Sequence, residues 1–317
     1  MNEAKGRTQA ALAALIGASF LGLSPIAIRI SEVGPQPTNF WRFVFALPIL
    51  GAWALMSRSK PNLGQIGWLT LAGVLFGAEV SLWGAAVTLT TVTNATLLAN
   101  LTPIFAALFG WLLLRERLSA PILAGIGIAL TGAVILALAR AQGGGGAHSG
   151  QQGLFGDALG FSAAIGYAGY LLIVRALGDK VGVGAVMFWA TLSAASVSLI
   201  ASFVLNEPLM ARTVSGWTML VGLGVIVQVG GQGLIAFGVG RLAIAMSTVL
   251  LWMQPLVAAA LSWIMFNEEL GPLALAGAAL ILVGIYVVQR SRVSDAAGAS
   301  SAASGTPPLD RARSQTD

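Results

Sequence analysis

The sequence has 317 residues, of which 56% are hydrophobic and only 9% are charged, and its net charge is +5. A soluble domain carries about a quarter charged residues, so this chain cannot cover its surface with polar side chains and must be solvated by lipid. Cysteine is absent, which excludes disulfides, thiol catalysis and cysteine metal sites. The basic residues lie at helix ends and in the tails, which gives no signal for nucleic acid.

Apolar runs of about 20 residues predict helices that cross the bilayer. The first run follows a short polar segment with Lys5 and Arg7. A secretion signal is the alternative interpretation, but the run is longer than the apolar core of a signal and nine more runs follow. Pro121 opens the fifth run, at a helix position where proline is tolerated. The ten predicted helices cover residues of about 10–31, 37–57, 64–87, 93–114, 119–139, 156–176, 183–205, 214–237, 241–266 and 271–290.

The longest internal gap separates the fifth and sixth helices. It contains Gly143–Gly146 and the single histidine, His148, and predicts a flexible linker. We therefore divide the chain into a first half at 10–140, a linker at 141–155 and a second half at 156–290. The tail at 291–317 is rich in serine, alanine and glycine, and we predict that it is disordered and cytoplasmic.

The basic residues predict the orientation in the membrane. If the N-terminus is cytoplasmic, only Arg140 and Arg212 fall in outer loops, while Arg29 and Arg42 lie within helices. The remaining basic residues are all cytoplasmic, as the positive-inside rule expects, so both termini lie on the cytoplasmic side of the cell (inner) membrane. The cytoplasmic residues are Lys5, Arg7, Arg58, Lys60, Arg115, Arg117, Arg175, Lys180, Arg241, Arg290, Arg292, Arg311 and Arg313.

An internal repeat organises the chain, because the stretch Thr96–Gly132 recurs as Thr248–Gly284. Each half has an odd number of helices, so the two halves must enter the membrane in opposite orientations. The sequence therefore predicts an all-α membrane protein of ten transmembrane helices in two inverted five-helix repeats, which is typical of alternating-access transporters. A displacement of 152 residues places Pro103, Trp111, Glu116, Gly125 and Gly132 on Pro255, Trp263, Glu268, Gly277 and Gly284.

These repeated residues, the ten helices and the first-helix stretch Gly22–Arg29 resemble the drug/metabolite transporter superfamily, specifically its EamA-type bacterial exporters. The resemblance extends from about Ala10 to Arg290. It implies export of amino acids or other metabolites without a cofactor. It also implies a central cavity lined mainly by helices one, three, four, six, eight and nine, with helices five and ten more peripheral.

Glu79 is the one acidic residue that the sequence places well inside a helix. A lone carboxylate in lipid costs several kcal/mol, so it should face the protein interior or water. We interpret it as a proton carrier or as a ligand for an ammonium group. The alternative is an ion pair with Arg42 or Arg29 that only locks helices together. The corresponding position in the second half is the neutral Gln228, and this asymmetry favours function.

Two prolines, Pro103 and Pro255, fall near the predicted bilayer midplane, where a kinked helix lines the site of many transporters. A kink without function is the alternative. Glu116 and Glu268 precede the fifth and tenth helices, and we expect them to cap those helices rather than to act as gates. The remaining candidate substrate-binding residues are Trp83, Asn100, Tyr167, Tyr170, Gln232, Trp252 and Gln254, with packing as the alternative for the tyrosines.

The sequence has no phosphate-binding loop and no protease or hydrolase motif, so neither an ATP-driven pump nor an enzyme is expected. The leading hypothesis is a secondary exporter of small amphipathic metabolites, first of all amino acids, including apolar and aromatic ones. The alternatives are a nucleotide-sugar or drug transporter of the same fold, a channel or a lipid flippase. The expected partners are a small-molecule substrate and the bilayer, with proton coupling as an option and no metal. The expected assembly is a monomer or a weak homodimer.

Overall fold

The computed structural model describes residues 2–56, 60–116, 118–141, 151–177, 180–239, 250, 252–268 and 271–303. All the regular elements in these ranges are helical. Between α9 and α10 lies a π-helical segment, Leu223–Gly231. The α-helices are α1 (Asn2–Ile30), α2 (Pro35–Met56), α3 (Leu63–Leu89), α4 (Val92–Ala99), α5 (Thr102–Leu114), α6 (Ala120–Ala141), α7 (Gln151–Leu177), α8 (Val183–Val204), α9 (Val214–Gly222), α10 (Gln232–Val239), α11 (Met253–Phe266) and α12 (Pro272–Ala303).

Within these ranges nine helical stretches are long and apolar enough to cross a membrane, and α11 is a shorter apolar helix. The tenth predicted span began at 241, but residues 240–249 and 251 lie outside the described ranges. Large apolar side chains on the outer faces, such as Trp53, Val134, Ile200 and Ile264, are exposed, as a lipid-facing surface requires. The chain is an all-helical, multi-pass membrane protein.

The helix boundaries follow local sequence signals. The side chains and backbones of Asn62 and Gln65 cap each other reciprocally at the start of α3. The gap between the third and fourth predicted spans contains a break at Thr90 and Thr91, where the Thr91 hydroxyl accepts a hydrogen bond from the backbone of Asn94. This hydroxyl satisfies one of the free N–H groups at the start of α4.

Three predicted boundaries are corrected. The first helix starts at Asn2 instead of residue 10, and α7 starts at Gln151, so the linker ends earlier than the predicted 155. The last helix continues to Ala303, beyond its predicted end at 290 and into the predicted tail, where alanines favour a helix. Gly143–Gly146, His148 and residues 304–317 lie outside the described ranges.

The internal repeat is visible in the backbone. Arg115 ends α5 and Asn267 ends α11, and both adopt the left-handed conformation, with φ of 55° and 53°. The two residues are 152 positions apart, the same displacement that relates the repeated sequences. Both helices also start just before their repeated proline, Pro103 or Pro255. The predicted fourth helix is therefore two helices, α4 and α5.

Helix contacts between the halves come in symmetric pairs. The contact of α3 with α7 has its counterpart in the contact of α1 with α10 and the π-helical segment. The contact of α3 with α8 likewise corresponds to that of α2 with the π-helical segment. The contact of α7 with α4 and α5 corresponds to that of α1 with α11. Each pair is what a two-fold axis between the halves generates.

The crossing of α6 and α12 shows that the repeats are inverted. A Cβ on Gly125 would lie 2.9 Å from the Gly284 carbonyl oxygen, and one on Gly132 would lie 2.6 Å from that of Gly277. The earlier glycine of α6 thus meets the later glycine of α12, so these homologous helices run antiparallel. Small residues permit this approach of two backbones in lipid.

The helix bundle has two ends, which we call the loop end and the termini end. The loop end contains Ser31–Gly34, Thr90–Thr91, Leu205–Thr213 and Asn267–Glu268. Hydrogen bonds join these segments, for example from the backbone N–H of Val92 to Glu268 (3.0 Å) and from that of Gln36 to Glu207 (2.9 Å). The termini end is the opposite one, where α1 begins and where α5 and α7 end.

The glycine crossing predicts opposite effects for the same substitution at two positions of α6. Gly132→Ala should lower the free energy of unfolding by about 1–3 kcal/mol, because the added Cβ meets backbone atoms of α12 at 2.6 and 2.7 Å. Gly127→Ala meets nothing within 4 Å and should be neutral or stabilising by up to about 1 kcal/mol. Thermal unfolding of the purified variants in detergent measures both. Equal stabilities for the two variants would contradict the crossing.

Candidate functional site

A cavity of about 370 Å³ lies between the two halves. Side chains from α1, α2, α3, α4 and α5 line it on one side, and those from α7, α10, α11 and α12 on the other. Trp252, just before α11, also contributes. Its polar and charged lining consists of Ser24, Arg42, Glu79, Thr96, Asn100, Thr102, Tyr167, Gln232, Gln254 and Gln289.

Most of the residues predicted from the sequence meet in this cavity. Tyr170 and Gln228 are not in its wall: Tyr170 stacks on Tyr167 with ring centroids 5.5 Å apart, and Gln228 is 0% exposed. Arg29, Glu116 and Glu268 lie outside the cavity, at the two ends of the helices. The predicted residues that line it are Arg42, Glu79, Trp83, Asn100, Pro103, Tyr167, Gln232, Trp252, Gln254 and Pro255.

Arg42 is held in place by two neutral side chains. Its Nε donates to Oε1 of Gln228 (3.0 Å), and its Nη1 donates to the Ser24 hydroxyl (2.9 Å). Gln228 comes from the π-helical segment, a type of distortion that often occurs at functional sites. Arg42 is 4% exposed. Because both acceptors are neutral, these bonds orient the guanidinium without neutralising its charge.

Glu79 lies in the wall of the same cavity on the neighbouring helix, α3. In the part of the chain that the structure describes, its carboxylate has no hydrogen bond and no ion pair. Among the described residues no ion pair joins Glu79 to either candidate partner, since Arg42 bonds to Gln228 and Ser24, and Arg29 pairs with Glu268. Glu79 remains close enough to Arg42 for an electrostatic interaction.

Aromatic rings cover the cavity wall next to Glu79. The Phe76 ring lies 6.2 Å from that of Tyr167 and 5.2 Å from that of Tyr170. Gly166 allows α7 to approach Glu79 closely, since a Cβ there would lie 3.3 Å from Cβ of Glu79. Such a surface can hold an apolar group by contact or a cation by its ring faces.

The break between α4 and α5 also borders the cavity. Asn100 ends α4, and its side-chain amide donates to the Thr96 carbonyl (2.7 Å), while Thr102 donates to that of Ala99 (2.9 Å). The Thr102 bond satisfies the Ala99 carbonyl, which the missing N–H of Pro103 leaves without its helical partner. The Thr96 carbonyl also accepts a hydrogen bond from the backbone N–H of Asn100 (3.1 Å). The predicted irregular backbone near mid-membrane is thus present, and it lines the cavity.

Arg29 and Glu268 form a buried ion pair at the loop end, with side-chain exposures of 13% and 9%. Glu268 also accepts hydrogen bonds from the Ser262 hydroxyl and from the backbone of Val92. Its N–H partner belongs to α4, so Glu268 caps a different helix from the predicted one. The Arg29 guanidinium lies 4.8 Å from the centroid of the Phe266 ring. This cluster ties α1, α4 and α11 together.

The repeat counterpart of Glu268 forms a much more open pair at the termini end. Glu116 pairs with Arg175 at 2.8 Å, with side-chain exposures of 32% and 60%. The two halves therefore carry related ion pairs at opposite ends, of which one is buried and the other is largely exposed to the surroundings.

Further contacts close the loop end. The Thr213 hydroxyl and the Arg212 backbone N–H donate to Glu32 and lower its pKa, so this carboxylate stays charged at neutral pH. Desolvation raises the pKa of Glu207, which accepts from Gln36. The indole of Trp41 donates to the Leu209 carbonyl (2.7 Å).

A second buried carboxylate was missed in the sequence. Asp157, near the start of α7, is 5% exposed and accepts hydrogen bonds from Thr90 (2.5 Å) and Asn94 (3.4 Å). It lies within the first two turns of α7, and a carboxylate so close to a helix end gives no signal for burial in the sequence. Among the described residues no three side chains of His, Asp or Glu are grouped as a metal site would require.

More helices line the cavity than the family resemblance implied. Arg42 brings in the second helix, and Leu282, Ile285 and Gln289 bring in α12, which was expected to be peripheral. The last three are spaced along one face of α12. Their apolar or amide character gave no signal for a cavity in so apolar a chain.

The related ion pairs predict very different costs for the same substitution. Glu268→Gln should lower the free energy of unfolding by about 3–5 kcal/mol, because it leaves a buried arginine unpaired. Glu116→Gln should cost at most about 1 kcal/mol, because its pair is exposed. Thermal unfolding in detergent compares them, and the double variant Arg29→Gln with Glu268→Gln should recover stability. Similar losses for both single variants would contradict the assigned burial.

Comparisons with known proteins agree with this architecture. A solved crystal structure of a protein superimposes with a TM-score of 0.59, covering 89% of this chain and 97% of that chain at 21% identity, which shows a shared fold. An uncharacterized transporter of Archaeoglobus fulgidus is 31% identical over 114 residues, which are 35% of this chain and 39% of that protein.

A probable terminal-alkyne amino-acid exporter of Streptantibioticus cattleyicolor is 27% identical over 205 residues, which are 62% of this chain and 64% of that protein. This chain thus covers less than two thirds of either relative. The model of the EamA-like transporter family matches residues 8–138 and 154–290, one match in each half. The chain belongs to the EamA-like transporter family.

Proposed function

We propose that this protein is a secondary transporter that exports small amphipathic metabolites, first of all amino acids with apolar or aromatic side chains. The observation that carries the proposal is the cavity between the inverted halves, with charged, amide and aromatic groups in its lining. Its volume of about 370 Å³ is near the lower end of the range of about 300–1,000 Å³ for pockets of drug-sized ligands. This size favours a small metabolite over a nucleotide sugar.

The relative from Streptantibioticus cattleyicolor supports amino acids as the substrate class, since it is named as a probable exporter of a terminal-alkyne amino acid. The cavity is compatible with such molecules. Arg42 and Glu79 offer both charges, and the rings of Phe76, Tyr167 and Trp252 offer apolar contact. A substrate of this type is polar at one end and apolar at the other.

The two ends of the molecule suggest which state is present. The cavity lining reaches Leu171 and Gln289, close to the termini end, while the described segments of the loop end do not line it. The buried pair of Arg29 and Glu268 lies at the closed loop end. The positive-inside rule puts the termini end in the cytoplasm, so we assign this conformation as inward-facing.

Alternating access then requires that the buried ion pair opens and that the exposed ion pair closes. In the outward-facing state the pair of Arg29 and Glu268 would separate, and Arg175 and Glu116 would become buried. The inverted repeat supports this exchange, because it lets one half adopt the arrangement that the other has now. Glu79 is our candidate for proton coupling, as the cavity carboxylate without a bonded partner in the described part of the chain.

Topology follows from the charge distribution and can be tested directly. Reporter fusions after Lys60, Arg117, Lys180, Arg241 and Arg292 should report the cytoplasm, and a fusion within Gly143–Gly146 should report the outside. The fusions expected in the cytoplasm and the fusion expected outside serve as controls for each other's expression. A cytoplasmic signal from the glycine segment would contradict the proposed orientation.

Transport is tested by counterflow in proteoliposomes that contain only this protein. We expect uptake of labelled apolar and aromatic amino acids without ATP, because the fold is an inverted helical repeat without a phosphate-binding loop. A panel of nucleotides and sugar nucleotides, together with protein-free liposomes, provides the controls. Flux that requires ATP, or that occurs only with sugar nucleotides, would rule out the proposed function.

A further inference from the structure

Among the described residues, the cavity lining contains one cationic and one anionic side chain, Arg42 and Glu79, which do not bind each other. Arg42 donates to Gln228 and Ser24, both neutral, and the Glu79 carboxylate has no bonded partner within the described ranges. Unpaired charges in a low-dielectric interior are costly, and proteins normally pair them. The arrangement is therefore incomplete unless something in the cavity binds both charges.

The two charges reach the cavity from adjacent helices that are fixed to each other. The side-chain amide of Asn39 donates to the Val80 carbonyl (3.2 Å), and the Phe43 and Phe76 rings lie 5.7 Å apart. Arg42 sits between Asn39 and Phe43 on α2. Glu79 sits between Phe76 and Val80 on α3. These contacts hold the guanidinium and the carboxylate beside each other at one place in the wall.

The hydrogen bonds to Gln228 and Ser24 leave some N–H donors of the Arg42 guanidinium available for a ligand. A guanidinium has five N–H donors, and the bonds to Gln228 and Ser24 use two of them. Both acceptors are neutral oxygens, so the full positive charge remains for a ligand. A planar fork oriented in this way suits a carboxylate, which it can bind by two parallel hydrogen bonds.

The surroundings of Glu79 suit an ammonium group. Phe76, Tyr167 and Tyr170 form an aromatic cluster with ring centroids 5.2–6.2 Å apart next to this carboxylate. Ring faces attract cations, and an ion pair with the carboxylate adds to that attraction. The neutral counterpart Gln228 shows that the acid is not a requirement of the helix packing in both halves.

We propose that Arg42 and Glu79 form a clamp for the two charges of a zwitterion, in which Arg42 binds the carboxylate and Glu79 binds the ammonium group. This inference rests on the proposed function and specifies its substrate class. In an α-amino acid the two charged groups are attached to one carbon atom, which matches two binding groups on neighbouring helices. The substrate side chain then faces the apolar residues Trp83, Trp252 and Pro255. Gln228 and Ser24 are positioning residues that aim the guanidinium.

The clamp is tested with three molecules of the same shape and different charge. The first is L-phenylalanine, the second is 2-phenylethylamine, which lacks the carboxylate, and the third is 3-phenylpropionate, which lacks the ammonium group. Competition against labelled L-phenylalanine in counterflow, and calorimetric titration of the detergent-purified protein, compare them. For the unmodified protein we expect unlabelled L-phenylalanine to bind at least about tenfold more tightly than either analogue, which corresponds to one lost charged contact.

Two variants assign each charge to its residue. Glu79→Gln should remove the preference for L-phenylalanine over 3-phenylpropionate and keep the preference over 2-phenylethylamine. Arg42→Gln should do the reverse. As a control, Lys60→Gln removes a positive charge at an exposed position outside the cavity and should leave both preferences unchanged. If Arg42→Gln does not fold, Arg42→Lys replaces it and should weaken carboxylate binding, because lysine lacks the fork.

The outcomes separate the clamp from the proposed function. If the unmodified protein transports L-phenylalanine but binds 2-phenylethylamine equally well, the clamp is overturned and the transporter stands. The same holds if both variants keep the original preferences, or if the double variant of Arg42→Gln and Glu79→Gln binds L-phenylalanine like the unmodified protein. If no amino acid is transported while another metabolite is, the amino-acid proposal fails together with the clamp.

Discussion

The hydrocarbon core of the bilayer cannot solvate a charge, and this constraint decides where the few charged side chains of this chain lie. Arg29 and Glu268 neutralise each other within a packed cluster. Arg42 and Glu79 face a cavity instead, where water or a ligand can reach them. The constraint thus divides the internal charges into those that hold helices together and those that remain available for binding.

The two halves are equivalent in their backbone packing, but they differ in their polar side chains. Where α6 and α12 cross, glycines of both repeats form equivalent contacts, and the left-handed ends of α5 and α11 repeat in detail. The polar positions differ, because Glu79 corresponds to Gln228 in sequence and the two end pairs differ in exposure. A transporter needs both properties: equivalent halves that can exchange shapes, and one site with a fixed chemistry.

The fold could be predicted largely from the sequence, because it depends on periodic apolar residues and on prolines and glycines at particular positions. Apolar runs predicted the spans, Pro103 and Gly132 with their counterparts predicted the repeat, and the odd number of helices in each half predicted its inversion. Most of the polar cavity residues were also identified, since polar side chains within membrane helices usually face a cavity or a polar partner. Boundaries were less accurate, as at the end of α12, because its alanine-rich flank at 291–303 continues the helix beyond the apolar run.

The partners of these residues could not be predicted. Arg42 binds Gln228, which is 186 residues away, and Arg29 binds Glu268, which is 239 residues away. Such pairs depend on the rotation and tilt of helices, which hydrophobic periodicity does not define. The π-helical segment that brings Gln228 to Arg42 is a distortion in an ordinary apolar run. It has no residue signature comparable to a proline.

The unequal exposure of the two end pairs has a thermodynamic consequence for the empty transporter. If the repeats were identical in energy, the inward-facing and outward-facing conformations would be equally populated. A buried pair with three further contacts at one end, set against an exposed pair at the other, removes that degeneracy. A difference of only about 1.4 kcal/mol would place roughly nine of every ten molecules in the favoured conformation. For the exporter that we propose, this resting preference would be useful, because most empty molecules would then wait with the binding site open on the side where the substrate is made.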